Sequence, residues 1–159
     1  MFILLIFMEE QTYRNPTPTV DAIIEKDSKI LLIKRKNEPY KDYLALPGGF
    51  VNVGETVENA AKREVKEETS INIELIDILG VYSDPNRDPR GQIMSTVFIG
   101  EIAPSNDTIN VMAQDDAVGI QWISLNEIDD RIFGFDHRKI LLDYKKWRQS
   151  RRTFWSSKY

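Results

Sequence analysis

Glu64, Glu67 and Glu68 stand three and four residues apart, a spacing that puts all three carboxylates on one face of an α-helix. Arg63 precedes them, and Glu55 lies upstream behind a segment bracketed by Gly48-Gly49 and Gly54. Such a concentration of oxygen ligands suits a hard divalent cation. Mg2+ gives up its water reluctantly, so one or two carboxylates together with substrate phosphate oxygens make a natural site. Glu64 and Glu68, one helical turn apart, are the best ligand pair, with Glu67 as a third participant that binds a second metal or orients water. The Pro47-Gly48-Gly49 turn should bring bare backbone close to the helix, where Gly48 or Leu46 could add a carbonyl. A cation held this way neutralises phosphate charge, aligns a water and stabilises a leaving phosphate oxygen, which is the chemistry of phosphoanhydride hydrolysis without a covalent intermediate.

The segment from Gly49 to Ile71 reads Gly, five residues, Glu55, seven residues, then Arg63-Glu64-Val65-Lys66-Glu67-Glu68-Thr69-Ser70-Ile71. This resembles the Nudix box, the signature of Nudix hydrolases, at every defined position except Ser70, where the family has glycine. The resemblance implies an α/β fold, the Nudix-type α/β/α sandwich with a mixed central sheet. It also implies that Arg63 holds the glutamates by ion pairing and that Glu55 supports the loop or the metal from the helix entrance. Metal ligands are then Glu64, Glu67, Glu68 and Gly48, and catalytic residues Glu67, Glu68 and Arg63. The cofactor is Mg2+, with Mn2+ able to substitute. A general base outside the box falls to the Asp115-Asp116 pair, with Asp116 the candidate.

Thr19-Val-Asp-Ala-Ile-Ile-Glu25, the stretch from Leu31 to Glu55, and above all the loop Ser83-Asp-Pro-Asn-Arg-Asp-Pro-Arg-Gly-Gln92 resemble the ADP-ribose pyrophosphatase branch of that family. The resemblance implies a nucleoside diphosphate derivative as substrate, ADP-ribose first, cleaved to AMP and ribose 5-phosphate. Arg35, Arg87, Arg90 and Gln92 are then the substrate-binding residues. Gln92 stands where that branch usually has histidine, and Leu44 where it often has tryptophan. The alternatives are a house-cleaning nucleoside triphosphate pyrophosphatase and, in a different class, a noncatalytic ADP-ribose-sensing module. All four box glutamates and the 83–91 loop favour the first reading.

Several elements must position these groups. Thr19–Glu25 and Lys29–Arg35 read as a hairpin joined by Lys26-Asp27-Ser28. Tyr43–Leu46 reads as a short strand stopped by Pro47-Gly48-Gly49. The carboxylate helix is expected to start at Thr56, whose hydroxyl can cap it, and to bury Val57, Ala60, Ala61 and Val65. Further strands are expected at Asn72–Tyr82, Ile93–Ile102 and Val118–Ile123, a short helix at Asn126–Asp130, and a last helix at Phe135–Arg148 carrying Ile140, Leu141, Tyr144 and Trp147. His137, the single histidine, is expected to cap that helix or face solvent.

With 159 residues the chain has room for one domain, expected over 19–148, between an N-terminal segment 1–18 and a tail 149–159 expected to fray. Met1–Phe7 is apolar but lacks a signal peptide's basic region and cleavage site. It reads as an extension ahead of a start at Met8, or as an extra edge strand or partner contact. The absence of cysteine excludes disulfides, thiolate catalysis and Cys-ligated zinc, and a cytoplasmic setting fits it. A formal charge of −4 gives no overall field to attract nucleic acid, and no interior run is long enough to span a bilayer, so neither nucleic acid nor membrane is expected as a partner. The resemblance makes a homodimer reasonable.

Overall fold

The computed structural model describes residues 15–104 and 119–155. Asp115, Asp116 and the apolar N-terminal run lie outside the described residues. Among the described residues eight strands and two α-helices follow in the order β1 (Thr17–Lys26), β2 (Lys29–Lys34), β3 (Leu44–Ala45), β4 (Gly48–Phe50), α1 (Val57–Thr69), β5 (Ile73–Tyr82), β6 (Ile93–Ile102), β7 (Ile120–Ser124), a 3-10 turn at Leu125–Asp130, α2 (His137–Ser150) and β8 (Phe154–Trp155).

Strand β1 organises the sheet. One edge runs parallel to β6 from Thr17 to Ile24. The other edge is divided: Thr19–Asp21 pair with β4, and only Glu25 and Lys26 pair with β2. Strand β2 therefore peels away to pair with β3 and β7, while β6 continues through antiparallel β5 to parallel β8. The β1–β2 hairpin closes on two residues, Asp27 and Ser28, both with positive φ (50° and 61°). That left-handed pair matches the twist of the flanking strands, so the turn is tighter than the three residues expected.

Both faces of β1 are covered, which is why Val20–Ile24 reads as an almost unbroken apolar run rather than an alternation. Val20, Ala22 and Ile24 face α1, where Ala60, Ala61 and Val65 are buried. Ile23 faces the opposite way into a larger core with Ile140, Leu141, Tyr144 and Trp147 of α2. The expected α/β/α sandwich with a mixed sheet is the observed one. Asp21 shares the Ile23 face by the period of the strand, so it is the one acidic residue carried into the interior at this level.

Helix ends differ in how well they were anticipated. Thr56 caps α1 by accepting from the Asn59 amide at 3.2 Å. The last helix starts at His137, because Phe135 has φ of 54° and cannot belong to it. Helix α2 runs to Ser150, and Phe154–Trp155 add a strand to β5 beside Gly80, whose missing Cβ would lie 2.2 Å from the Phe154 carbonyl. At the far end of α1, Ser70 adopts the left-handed conformation (φ 62°) and donates its amide to Lys66 O at 2.9 Å. Glycine would take this conformation without a Cβ penalty. Ser70→Gly should therefore raise unfolding free energy by about 0.5–1 kcal/mol, read by urea denaturation, with turnover unchanged.

Candidate active site

Helix α1 lies against the backbone of β4 because Gly49 leaves room for a helix carboxylate, while Gly48 lets β4 close on β1. A Cβ on Gly48 would lie 2.1 Å from Val20 O, and one on Gly49 would lie 2.4–2.5 Å from the Glu64 carboxyl group. The Glu64 carboxylate thus occupies the space a side chain at residue 49 would need. Glu68, one turn on, accepts from the Gly48 amide at 2.9 Å. The expected approach of the Pro-Gly-Gly backbone to the helix is therefore realised through Gly48 and Gly49.

Arg63 makes the remaining contacts of the cluster. Its guanidinium is bidentate to Glu55 at 2.8 and 2.9 Å, and it donates to Glu64 at 2.7 Å, Glu67 at 3.2 Å and the Phe50 carbonyl at 3.0 Å. These bonds, to Glu55 first and Glu64 second, raise the Arg63 pKa. Glu55 is held down to about 2 by Arg63, helped by the Asn52 amide that donates to it at 3.1 Å. Glu55 thus braces the loop before α1. Glu67 is exposed, and its ion pair with Arg63 is the longest of the three. Among the described residues Glu68 makes no such ion pair. Burial chiefly, with Glu64 and Asp21 adding repulsion, raises its pKa to about 7 against the opposing pull of the Gly48 amide.

Residues of this cluster line two cavities. The first, of about 290 Å3, is lined by Glu64, Gly48 and Gly49 on one side and by Arg35, Arg90, Phe50 and Phe135 on the other. The second, of about 300 Å3, is lined by Glu67 and Glu68 with Lys34, Arg35, Lys36 and Asn37. Arg35 and Ile33 line both. The Arg35 guanidinium lies 4.6 Å from the Phe135 ring centre, and that of Arg90 lies 5.3 Å from both Phe50 and Phe135. Burial first and the charge of Arg90 second lower the Arg35 pKa. Arg90 is also held by Asp88 at 2.7 and 3.0 Å, which raises its own.

Arg87 reaches the first cavity too, but its guanidinium is almost wholly buried and bidentate to Asp136 at 3.0 and 2.7 Å, with Asp21 at 3.7 Å. Burial alone would lower its pKa, yet Asp136 outweighs that and the net shift is upward. Gln92 is exposed and lines neither cavity, its carbonyl accepting from the Thr17 amide at 3.0 Å. Leu44 sits in the core rather than in a cavity, so the aromatic surfaces here come from Phe50 and Phe135.

His137 corrects the sequence expectation. It neither caps α2 nor meets solvent; it is 4% exposed and lines the first cavity. Asp21, which receives the Ser95 hydroxyl at 2.5 Å, lines it as well. The sequence carried a signal for Asp21, an acid inside an apolar strand run. None distinguished His137, Phe50 or Phe135, whose roles depend on distant chain segments.

The donor set fits an oxygen-preferring divalent ion. Glu68 is a partly buried carboxylate that makes no ion pair among the described residues, with Arg35 acting on it only through its charge, beside Glu64 and the glycine backbone of β4. Among the described residues no three acidic or histidine side chains form a closed ligand cage.

Fold and site together define an α/β/α protein that lays a carboxylate-bearing helix over a glycine strand beside a cationic cavity. The chain belongs to the Nudix family, matching the family's NUDIX domain over residues 15–144, and is a Nudix pyrophosphohydrolase. It is 50% identical over 136 residues to an ADP-ribose pyrophosphatase of Methanocaldococcus jannaschii, covering 86% of this chain and 77% of that one. A MutT/nudix family protein from Listeria innocua superposes with a TM-score of 0.69 at 35% identity, covering 87% of this chain and 98% of the other. A bifunctional NMN adenylyltransferase/ADP ribose pyrophosphatase from Francisella tularensis, complexed with AMP and a manganese ion, gives 0.62 at 28% identity, covering 84% of this chain and 42% of that one.

Two outcomes follow from this geometry. Gly49→Ala should leave the fold intact, because the clash falls on the end of a flexible side chain, but should displace Glu64 and lower kcat about 100-fold; melting and steady-state rates measured together check this. The native state holds the Glu68 proton more tightly than the unfolded chain, whose glutamate titrates near 4.5. Metal-free protein should therefore lose stability as pH rises from about 4.5 to about 7, by of order 2 kcal/mol after discounting partial exposure. Denaturation across that range should show the slope flattened in Glu68→Gln.

Proposed function

We propose that this protein is a Mg2+-dependent hydrolase of ADP-ribose, releasing AMP and ribose 5-phosphate, with Mn2+ able to replace Mg2+. The observation that carries this reading is the pair of cavities of similar volume, one lined by Glu64 and the other by Glu67 and Glu68, that share Arg35 in their walls. A substrate with two bulky halves joined by a diphosphate matches that layout. A nucleoside triphosphate, with one bulky half, would use only one cavity. The M. jannaschii relative, an ADP-ribose pyrophosphatase, supports the same choice.

Glu64 and Glu68 would hold the ion, with the Gly48 carbonyl nearby. When bound, the ion supplies charge neutralisation at the diphosphate and lowers the pKa of water. Arg35 and Arg90 offer planar cations to phosphate oxygens, and Phe50 and Phe135 offer ring faces to a base. Arg87, neutralised by Asp136 and Asp21, shapes the cavity floor. Glu67 lies in the second cavity, where it can orient a water or take its proton; Asp116 remains the candidate base outside the box. Water attacks one phosphorus, the bridging P–O bond breaks, and the released phosphate carries away the bonding electrons. We further place the protein in the cytoplasm as a homodimer acting on a free nucleotide rather than on nucleic acid.

A panel of ADP-ribose, nucleotide sugars, dinucleotides and nucleoside triphosphates, assayed with Mg2+ and with Mn2+, tests this. ADP-ribose should give AMP and ribose 5-phosphate in equal amounts, and Glu64→Gln and Glu68→Gln should each lower kcat by about 100-fold or more. Release of pyrophosphate from a triphosphate, with ADP-ribose untouched, would overturn the assignment.

A further inference from the structure

The segment Leu46-Pro47-Gly48 delivers bare backbone to the carboxylates, and it is tied down at three points. Ala22 of β1 donates its amide to Pro47 O at 2.9 Å. Gly48 donates its own to Glu68 at 2.9 Å. The third tie comes from the opposite side of the sheet: the Leu46 amide donates to His137 Nδ1 at 2.8 Å, bridging 91 residues of sequence. Because Nδ1 accepts, the ring proton is on Nε2, which lies 3.5 Å from Asp21 Oδ1. Burial lowers the imidazole pKa, in keeping with a neutral ring. The ring also packs 5.4 Å from Phe135, so it cannot easily rotate away from Leu46.

We propose that His137 is a positioning residue for the hydrolytic site: by fixing the Leu46 amide, it sets where the Gly48 backbone lies against Glu68 and the bound cation. This rests on the metal-dependent reading above. It assigns the protein's single histidine no proton transfer. The path is short, since Leu46 and Gly48 flank one proline. Asp21, whose backbone is opposite Gly48 in the β1–β4 pairing, holds the other end of the imidazole in register. A side chain that only filled space here could be replaced by any apolar group of similar volume.

The test compares His137→Asn with His137→Leu in the full chain. Asparagine keeps an acceptor oxygen at the position of Nδ1, whereas leucine has nearly the same shape as asparagine and no acceptor. Each protein is measured by thermal melting, by Mn2+ affinity after metal stripping using electron paramagnetic resonance, and by kcat and KM for ADP-ribose. His137→Leu should weaken Mn2+ binding and lower kcat each by about 10-fold or more, with KM within about two-fold, and His137→Asn should recover most of both losses. A folded leucine variant with wild-type affinity and turnover overturns the proposal, as does an asparagine variant as impaired as the leucine one. If the leucine variant fails to fold, the asparagine variant decides alone, near-wild-type Mn2+ affinity supporting the proposal and its loss overturning it. Wild-type protein that binds Mn2+ but leaves ADP-ribose intact defeats the substrate assignment while the affinity comparison still tests His137. Wild-type protein that binds no Mn2+ defeats the proposal itself.

Discussion

Carboxylates close enough to share a cation repel one another when the cation is absent. Two unit charges about 4 Å apart cost roughly 4 kcal/mol at an effective dielectric of 20. Much of this structure answers that constraint. Arg63 spreads its five donors over Glu55, Glu64, Glu67 and the Phe50 carbonyl, a fork that lysine could not reproduce. Glu68 is left out of that fork, and burial first, with repulsion from Glu64 and Asp21 added, makes it hold its proton more tightly.

The glycines belong to the same constraint. A carboxylate can approach a strand face on only where the strand has no side chain there, and Gly49 vacates the space that Glu64 occupies. Gly48 does the reverse, bringing its backbone so close to β1 that a Cβ would collide with Val20 O, while its amide remains free to meet Glu68. Helix, glycine strand and β1 are therefore one unit, and displacement at any layer reaches the carboxylates.

Beneath that unit lies a second set of polar groups under a different rule. Asp21, Arg87 and His137 are all nearly inaccessible to solvent, where an unpaired charge is costly, and each has partners: Ser95 and Arg87 for Asp21, Asp136 for Arg87, the Leu46 amide for His137. This set connects the segment after β5 to the start of α2 and both to the centre of β1. Arg87 and Arg90 stand three residues apart in one loop, yet the first is committed to the interior while the second remains half-exposed at the cavity mouth between two aromatic rings.

The carboxylate-bearing helix was legible in the sequence because its pattern is local. Helical period alone aligns Glu64, Glu67 and Glu68, Thr56 caps the helix through a bond spanning three residues, and Ser70 closes it in the conformation its neighbours demand. Most strands were legible for the same reason, since their apolar runs are local patterns. What the tertiary structure decided involves residues brought together from far apart. Leu46 and His137 are 91 positions distant, and Arg87 and Asp136 are 49 apart, so no spacing in the chain announces that they meet. Arg87 and Arg90 look alike in sequence and part ways only when α2 brings Asp136 to one of them. The sequence by itself determined the chemistry on one helix face; which groups surround that face depended on the packing of both helices against β1, because long-range contact is a property of the folded sheet and not of residue order.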